Sequence, residues 1–177
     1  MRFTTKTLGD VCDEVGGVIQ TGPFGSQLHE SDYVSDGLPV VMPKNLIDGR
    51  VSLDGIAQIG KSDEMRLRRH KLAKGDIVYG RRGDLGRRAL IAEREEGWLC
   101  GTGCLRISLG DSVLEPAFLY YYLGLPSLTA WIQNQAVGAT LPNLNTAIIR
   151  SISIRHPPPV VQRVTNQVIS KLTWARN

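Results

Sequence analysis

No disulfide framework is encoded in this sequence. Its three cysteines are an odd number, and Cys100 and Cys104 are spaced C-x-x-x-C with no second pair to complete a zinc site. Together with Cys12, His29, His70 and His156 they leave a metal reading open, but buried cysteines in a strand pair account for them better. No apolar run is long enough to span a bilayer. The opening Met1-Arg2-Phe3-Thr4-Thr5-Lys6-Thr7 lacks the apolar stretch of a secretion signal, so no membrane partner and a cytoplasmic location are expected. The chemistry-bearing motifs are missing too. There is no G-x-x-x-x-G-K-[ST] phosphate loop and no G-x-S-x-G elbow, and the spacing of Gly80, Gly83 and Gly86 is not the dinucleotide fingerprint. His156-Pro157-Pro158-Pro159 lacks the amide or acid, and the aromatic, of an amino-methyltransferase loop. Arg82-Gly83-Asp84 spells an adhesion tripeptide, which a cytosolic chain has no use for. A catalyst acting on its own is therefore not expected.

What is present suits one folded domain of 177 residues, with 42% hydrophobic and 21% charged side chains. The net charge of +4 is modest, but its distribution is uneven. Residues 1–64 hold five Lys and Arg against ten Asp and Glu; residues 65–94 hold ten against three; residues 95–177 hold six against four. Positive charge confined to one short stretch points to a surface for a polyanion. The alternative, arginines dispersed over several faces, stays open at this stage.

The class reads as mixed α and β. Thr7 is placed to cap a short helix through Val15 that Gly16-Gly17 stops. Val18–Thr21 and Leu38–Met42 read as strands, and Glu64–Leu72 as a short helix. Ile77–Tyr79 and Ala89–Ala92 flank the glycine-rich run Gly80–Arg88 as a hairpin, and two strands broken near Gly101 and Gly103 follow between Trp98 and Leu109. Pro116 opens the one long helix, which Gly124 and Pro126 interrupt, with a second helical piece over Leu128–Gln135. Tyr120-Tyr121-Tyr122 within it is expected to pack in the core. Ser151–Arg155 alternates as a strand, and a final helix follows Pro157-Pro158-Pro159 with Val161, Val164, Val168 and Leu172 on one face. That face suits pairing with another helix or packing back on its own domain.

The candidate binding groups follow from this layout. Arg81, Arg82, Arg87 and Arg88 surround three glycines, which let a backbone approach a polyanion while the guanidinium forks grip phosphate or the acceptor edge of guanine. Arg66, Arg68, Arg69 and Lys71 form a second positive segment suited to a duplex backbone. Gln20, Thr21, Ser26, Gln27, Lys44, Asn45, Thr140, Asn143 and Asn145 stand in loops beside strands, where they act as base readers or as turn formers. His70 reads as a solvated neighbour of the basic run.

The order of the pieces is itself informative. Leu8-Gly9-Asp10-Val11, Gly22-Pro23-Phe24-Gly25-Ser26, Tyr33, Gly37-Leu38-Pro39-Val40-Val41 and Lys44-Asn45-Leu46 are followed by Gly75-Asp76-Ile77-Val78 and Arg82-Gly83-Asp84-Leu85-Gly86. Pro116–Leu123, Gly138-Ala139-Thr140, Asn143-Leu144 and Ile154–Gln162 close the series. This sequence resembles, over almost its whole length, the target-recognition domain of type I restriction–modification specificity subunits. The resemblance implies a globular recognition domain with a twisted, largely antiparallel sheet over residues 1–156, then the start of a spacer or dimerisation helix over 157–177. It implies sequence-specific recognition of double-stranded DNA with no cofactor of its own. S-adenosylmethionine is expected on a partner methyltransferase (modification) subunit, and a restriction motor subunit can join. Such subunits normally carry two recognition domains held apart by long helices; this sequence has one, and its final helix ends soon after Trp174. Dimerisation of a half-length subunit, a truncated relic and a fragment are all compatible with that departure. A stand-alone DNA-binding protein, a regulator or decoy without an enzyme partner, is the alternative function.

Overall fold

A computed structural model describes residues 3–135 and 144–174. Strand β1 (Thr4–Thr7) leads into helix α1 (Leu8–Glu14) through a reciprocal cap. The Thr7 hydroxyl accepts from the Asp10 amide at 3.1 Å and the Asp10 carboxylate accepts from the Thr7 amide at 3.3 Å. Leu8, Val11 and Cys12 turn inward from α1. Strands β2 (Val18–Thr21), β3 (Tyr33–Val34) and β4 (Leu38–Val41) follow. A small hairpin, β5 (Leu46–Ile47) and β6 (Arg50–Val51), turns on Asp48 and Gly49, both at positive φ. Next come β7 (Ala57–Ile59) and helix α2 (Lys61–Arg66). The helix expected over Glu64–Leu72 therefore starts and ends earlier, and buried Leu67 precedes a separate 3₁₀ turn at Arg68–His70.

The expected hairpin is present as β8 (Ile77–Gly80) and β9 (Arg88–Leu90), paired antiparallel. The two short strands expected after Trp98 are β10 (Leu99–Cys100) and β11 (Cys104–Ser108), but they lie in different sheets. Helices α3 (Pro116–Tyr122) and α4 (Pro126–Gln135) are two separate pieces. Helix α5 (Thr146–Arg150) and strand β12 (Ser153–His156) lead to α6 (Pro159–Trp174). At 16 residues α6, and not the Pro116 segment, is the longest helix among those described.

The central sheet has the order β2-β11-β8-β9 and is antiparallel throughout. Strand β8 is buried along its whole length because both faces of this sheet are covered. Ile77, Tyr79, Leu105 and Ile107 face a core built with α1, α3, α4 and α5. Val78, Ala89 and Cys104 face the other way, onto Val41, Leu46, Val51 and Cys100. The second sheet, β10-β4-β7-β3, contains one parallel pair, β10 with β4. A two-stranded ribbon pairs β1 with β12, setting Thr4 opposite His156. The fold is mixed α/β with mostly antiparallel sheets and a C-terminal helix. Among the described residues no helix is long and apolar enough to cross a membrane.

Helix α6 leaves the domain through a latch. Gln162 is fully buried; its Oε1 accepts from the Glu115 amide at 2.9 Å, and its Nε2 donates to the Pro157 carbonyl at 2.8 Å and the Val113 carbonyl at 3.1 Å. Val161 turns half-inward beside it, whereas Val160, Val164 and Val168 are exposed. The outward stripe is thus Val160, Val164 and Val168 instead of the expected face that included Val161; the side chain of Leu172 lies outside the described residues.

Candidate nucleic-acid interface

Strand register brings four loops to one end of the central sheet. Thr21 stands opposite Leu105 and Gly80 opposite Cys104, so the loops after β2, after β8 and before β11 emerge side by side. They are stitched by backbone hydrogen bonds: Gly22 N–H to Cys104 O at 3.0 Å, Arg81 N–H to Gly103 O at 2.9 Å, and Gly101 N–H to Val41 O at 2.9 Å. The last bond adds the 3₁₀ turn Pro43–Asn45 that follows β4. Gly22 is required here by close approach, since a Cβ on it would stand 2.0 Å from the Gly101 carbonyl oxygen. At Gly25 and Gly83, by contrast, a Cβ would meet nothing within 4 Å among the described residues.

The four arginines of the β8–β9 loop divide into two pairs. Arg82 is exposed and has no ion pair among the described residues, and Arg87, also exposed, pairs with Asp84 at 3.0 Å. Arg81 turns inward: its Nε donates to the Leu144 carbonyl at 3.1 Å, while the Leu144 amide donates to the Arg81 carbonyl at 2.9 Å. Burial and the adjacent Arg82 charge lower the Arg81 pKa. Arg88 donates to the carbonyls of Tyr120 at 3.0 Å and Gly86 at 3.1 Å, and its guanidinium lies 4.9 Å from the Tyr120 ring centroid. Arg81 and Arg88 therefore hold the loop, and Arg82 and Arg87 face outward. Tyr120 packs against the core as expected of the tyrosine run.

The second basic segment lies beside the loop after β2. Arg66 donates to the Gln27 carbonyl at 2.7 Å and pairs with Asp63 at 2.6 Å. Gln20 Nε2 donates to the Arg69 carbonyl at 2.7 Å, fixing the 3₁₀ turn against β2. Arg68 and Arg69 are exposed and without an ion pair among the described residues; Lys71 pairs with Glu64 at 2.6 Å. His70 is buried, not solvated, because the turn folds it under Arg69, whose Nε donates to His70 Nε2 at 3.0 Å. Burial first, then the charges of Arg69 and Arg106, push its pKa down to about 4.

The uncharged candidates separate in the same way. Lys44 and Ser26 are exposed, and Thr21 is half-buried at its strand end. Asn45 is 1% exposed: its Oδ1 accepts from the Met42 amide at 3.1 Å and its Nδ2 donates to the Asp54 carbonyl at 3.3 Å, so it builds the turn and offers no edge to a base. Gln27 Oε1 accepts from the Phe24 amide, and Asn145 caps α5 by accepting from the Ile148 amide at 2.9 Å. Thr140 and Asn143 lie outside the described residues. The three cysteines are buried and apart from this surface chemistry, with thiol pKa values raised by burial to about 11 for Cys12 and about 12 for Cys100. No group of three or more metal-binding side chains occurs among the described residues.

The result is a set of exposed cations, Arg66, Arg68, Arg69, Lys44 and Arg82, on or beside the interlocked loops. Comparison with known proteins adds a family. The profile described as "Type I restriction modification DNA specificity domain" matches residues 2–174. The type I restriction enzyme EcoBI specificity subunit of Escherichia coli is 26% identical over 153 residues, which are 84% of this chain and 30% of that protein. A chain from a structure reported as the structural basis of complex assembly and conformational transition of the type I R-M system superposes with a TM-score of 0.71 at 19% identity. It covers 98% of this chain and 38% of that one. The HsdS subunit from Thermoanaerobacter tengcongensis superposes with a TM-score of 0.63 at 18% identity, covering 98% of this chain and 37% of its own. These two likenesses establish the fold. The chain spans about a third of the length of each of these relatives, 30% to 38%.

Proposed function

Because the chain belongs to the type I restriction modification DNA specificity domain family, we propose that it is a non-catalytic reader of double-stranded DNA that brings a methyltransferase subunit to a target sequence. The observation that carries this reading is the convergence of four loops at one sheet end, rimmed by exposed Arg66, Arg69, Arg82 and Lys44. Exposed cations around a water-open surface neutralise phosphates and fix register, and loop tips within that rim reach base edges. Arg87, Thr21 and Ser26 belong to the contact surface. Thr140 and Asn143 precede Leu144 in the sequence by four residues and one, and are assigned to the contact surface with the loop that Leu144 joins through Arg81. Arg81, Arg88 and Asn45 position the loops.

In this reading residues 1–156 recognise DNA and residues 157–177 begin the helix through which larger assemblies form. S-adenosylmethionine belongs to the modification subunit. The exposed Val160, Val164 and Val168 stripe is the surface for that subunit's complex or for a second copy of this chain, to which a restriction motor subunit can be added. The protein works in the cytoplasm, where its substrate lies.

Anisotropy titrations on a randomised duplex pool, and then on the selected sequence, test the reading. Arg82→Ala is expected to cost about 1–3 kcal/mol of binding if the guanidinium pairs with a base. If it touches only phosphate, the loss is uniform across sequences, and the salt slope becomes shallower by about one. Arg88→Ala is expected to lower thermal stability by about 1–3 kcal/mol, because two carbonyls lose their donor. Unchanged affinity in Arg82→Ala, Lys44→Ala, Arg66→Ala and Arg69→Ala would remove this surface from the site. Co-expression with the host's modification subunit, followed by size-exclusion with light scattering, should give a stable complex whose mass counts the copies. Sequence-selective binding with no such complex would identify a stand-alone regulator or decoy instead.

A further inference from the structure

Phe24 is 57% exposed, at the centre of the loop that follows β2. It is more exposed than Phe3, at 46%. Phe3 lies under Arg155, Trp98 under Arg94 and Tyr120 under Arg88, whereas Phe24 has no ring or cation contact among the described residues. The loop that bears it is nevertheless fixed. The Phe24 amide donates to Gln27 Oε1 at 3.1 Å, and its carbonyl accepts from the amides of Gln27 at 2.8 Å and Leu28 at 3.2 Å. Pro23 before it and Leu28 after it are buried. Both backbone groups of Phe24 are therefore consumed inside the loop, and only an apolar ring is offered outward. Arg66 is tied to the same loop through Gln27, and a Cβ on the next residue, Gly25, would meet nothing within 4 Å among the described residues.

An apolar ring on a fixed loop backbone beside Arg66 has little to gain from phosphate. In the major groove of duplex DNA the apolar group on a base edge is the 5-methyl of thymine. We propose that Phe24 is a specificity-determining residue that packs on a thymine methyl while the arginines beside it hold the flanking phosphates. This rests on the reading of the chain as a DNA-binding domain and adds to it the kind of base read by this loop. Fixing the loop backbone beforehand removes part of the ordering cost of the contact.

The test uses the full chain and the duplex selected from a randomised pool. Thymine is replaced by deoxyuridine one position at a time, which deletes the methyl and leaves every hydrogen-bonding atom. For the wild-type chain, one position is expected to lose about fourfold in affinity, the worth of one methyl group taken out of water. Phe24→Ala should bind the thymine and uracil duplexes equally, with an unchanged melting temperature and an unchanged salt slope. Phe24→Leu should keep part of the discrimination. Three results would overturn the proposal: a selected sequence without thymine, indifference of the wild type to uracil at every position, or full discrimination in Phe24→Ala. A wild-type chain that binds no duplex at all would sink the underlying DNA-binding reading as well, which separates the two failures.

Discussion

A buried histidine beside two arginines is an unusual thing to place at the edge of the proposed binding surface. His70 is held neutral by burial and by Arg69 and Arg106, with a pKa near 4 against an ordinary value of 6.5. The unfolded chain therefore binds a proton between those values and the folded chain does not. Stability contributed by the neutral ring is complete above about pH 6.5 and falls progressively as pH drops toward 4, by about 3 kcal/mol in all. Urea melts at a series of pH values should show this slope in the wild type and a reduced slope in His70→Gln. The same residue marks a limit of reading side chains from sequence. His70 stands in a run of cations, and nothing local announces that the 3₁₀ turn folds it under Arg69. Arg81 and Arg88 are hidden for the same reason, because each finds a partner in a distant segment: Leu144 and Tyr120 respectively. Arg82 and Lys44 remain on the surface as their chemistry suggests, without an ion pair among the described residues.

At the level of elements, what is decided locally was legible and what is decided by pairing was not. The Thr7 cap of α1 involves only Thr7 and Asp10, and the β8–β9 hairpin joins neighbouring segments, so both follow from sequence pattern. β10 and β11 are also visible as strands. Their assignment to different sheets depends on Val41 pairing with Cys100, a contact far along the chain that no short window reports. β1 reads Thr-Thr-Lys-Thr and is a strand because β12 lies beside it; α5 has five residues, too few to carry a helical period. The latch at α6 yields a prediction at this scale. Gln162→Ala leaves the Glu115 amide and the carbonyls of Val113 and Pro157 without their partner, and should cost about 2–4 kcal/mol. A lower urea midpoint at unchanged slope, with faster amide exchange in the first turns of α6, is the expected signature. Unaltered exchange there would mean that the helix is held by Val161 packing alone.

For the molecule as a whole, the uneven charge of the sequence becomes one cationic rim only in part. Of the ten Lys and Arg in residues 65–94, Arg66, Lys71, Lys74, Arg87 and Arg94 are ion-paired, and Arg81 and Arg88 are turned inward onto carbonyls. The dispersal that charge counting left open is therefore real for several of them. The rim is completed from outside the basic stretch by Lys44, and that addition comes from topology, because β4 ends beside the turn between β10 and β11.

The interlock at Gly22 has a bearing on how such a domain changes over time. The loops are fastened at their roots, where a single added carbon on Gly22 would strike the Gly101 carbonyl, and they are free at Gly25, where it would strike nothing. Heritable variation is thereby sorted by position. Substitutions at the roots are expected to unfold the protein, whereas a side chain added at Gly25 is expected to leave the scaffold standing. A combinatorial library at residues 24–26 should yield mostly folded members, and one at 22 and 101 mostly unfolded ones, as counted by protease resistance on a display platform. A scaffold divided in this way can acquire new preferences by single substitutions without passing through an unfolded ancestor.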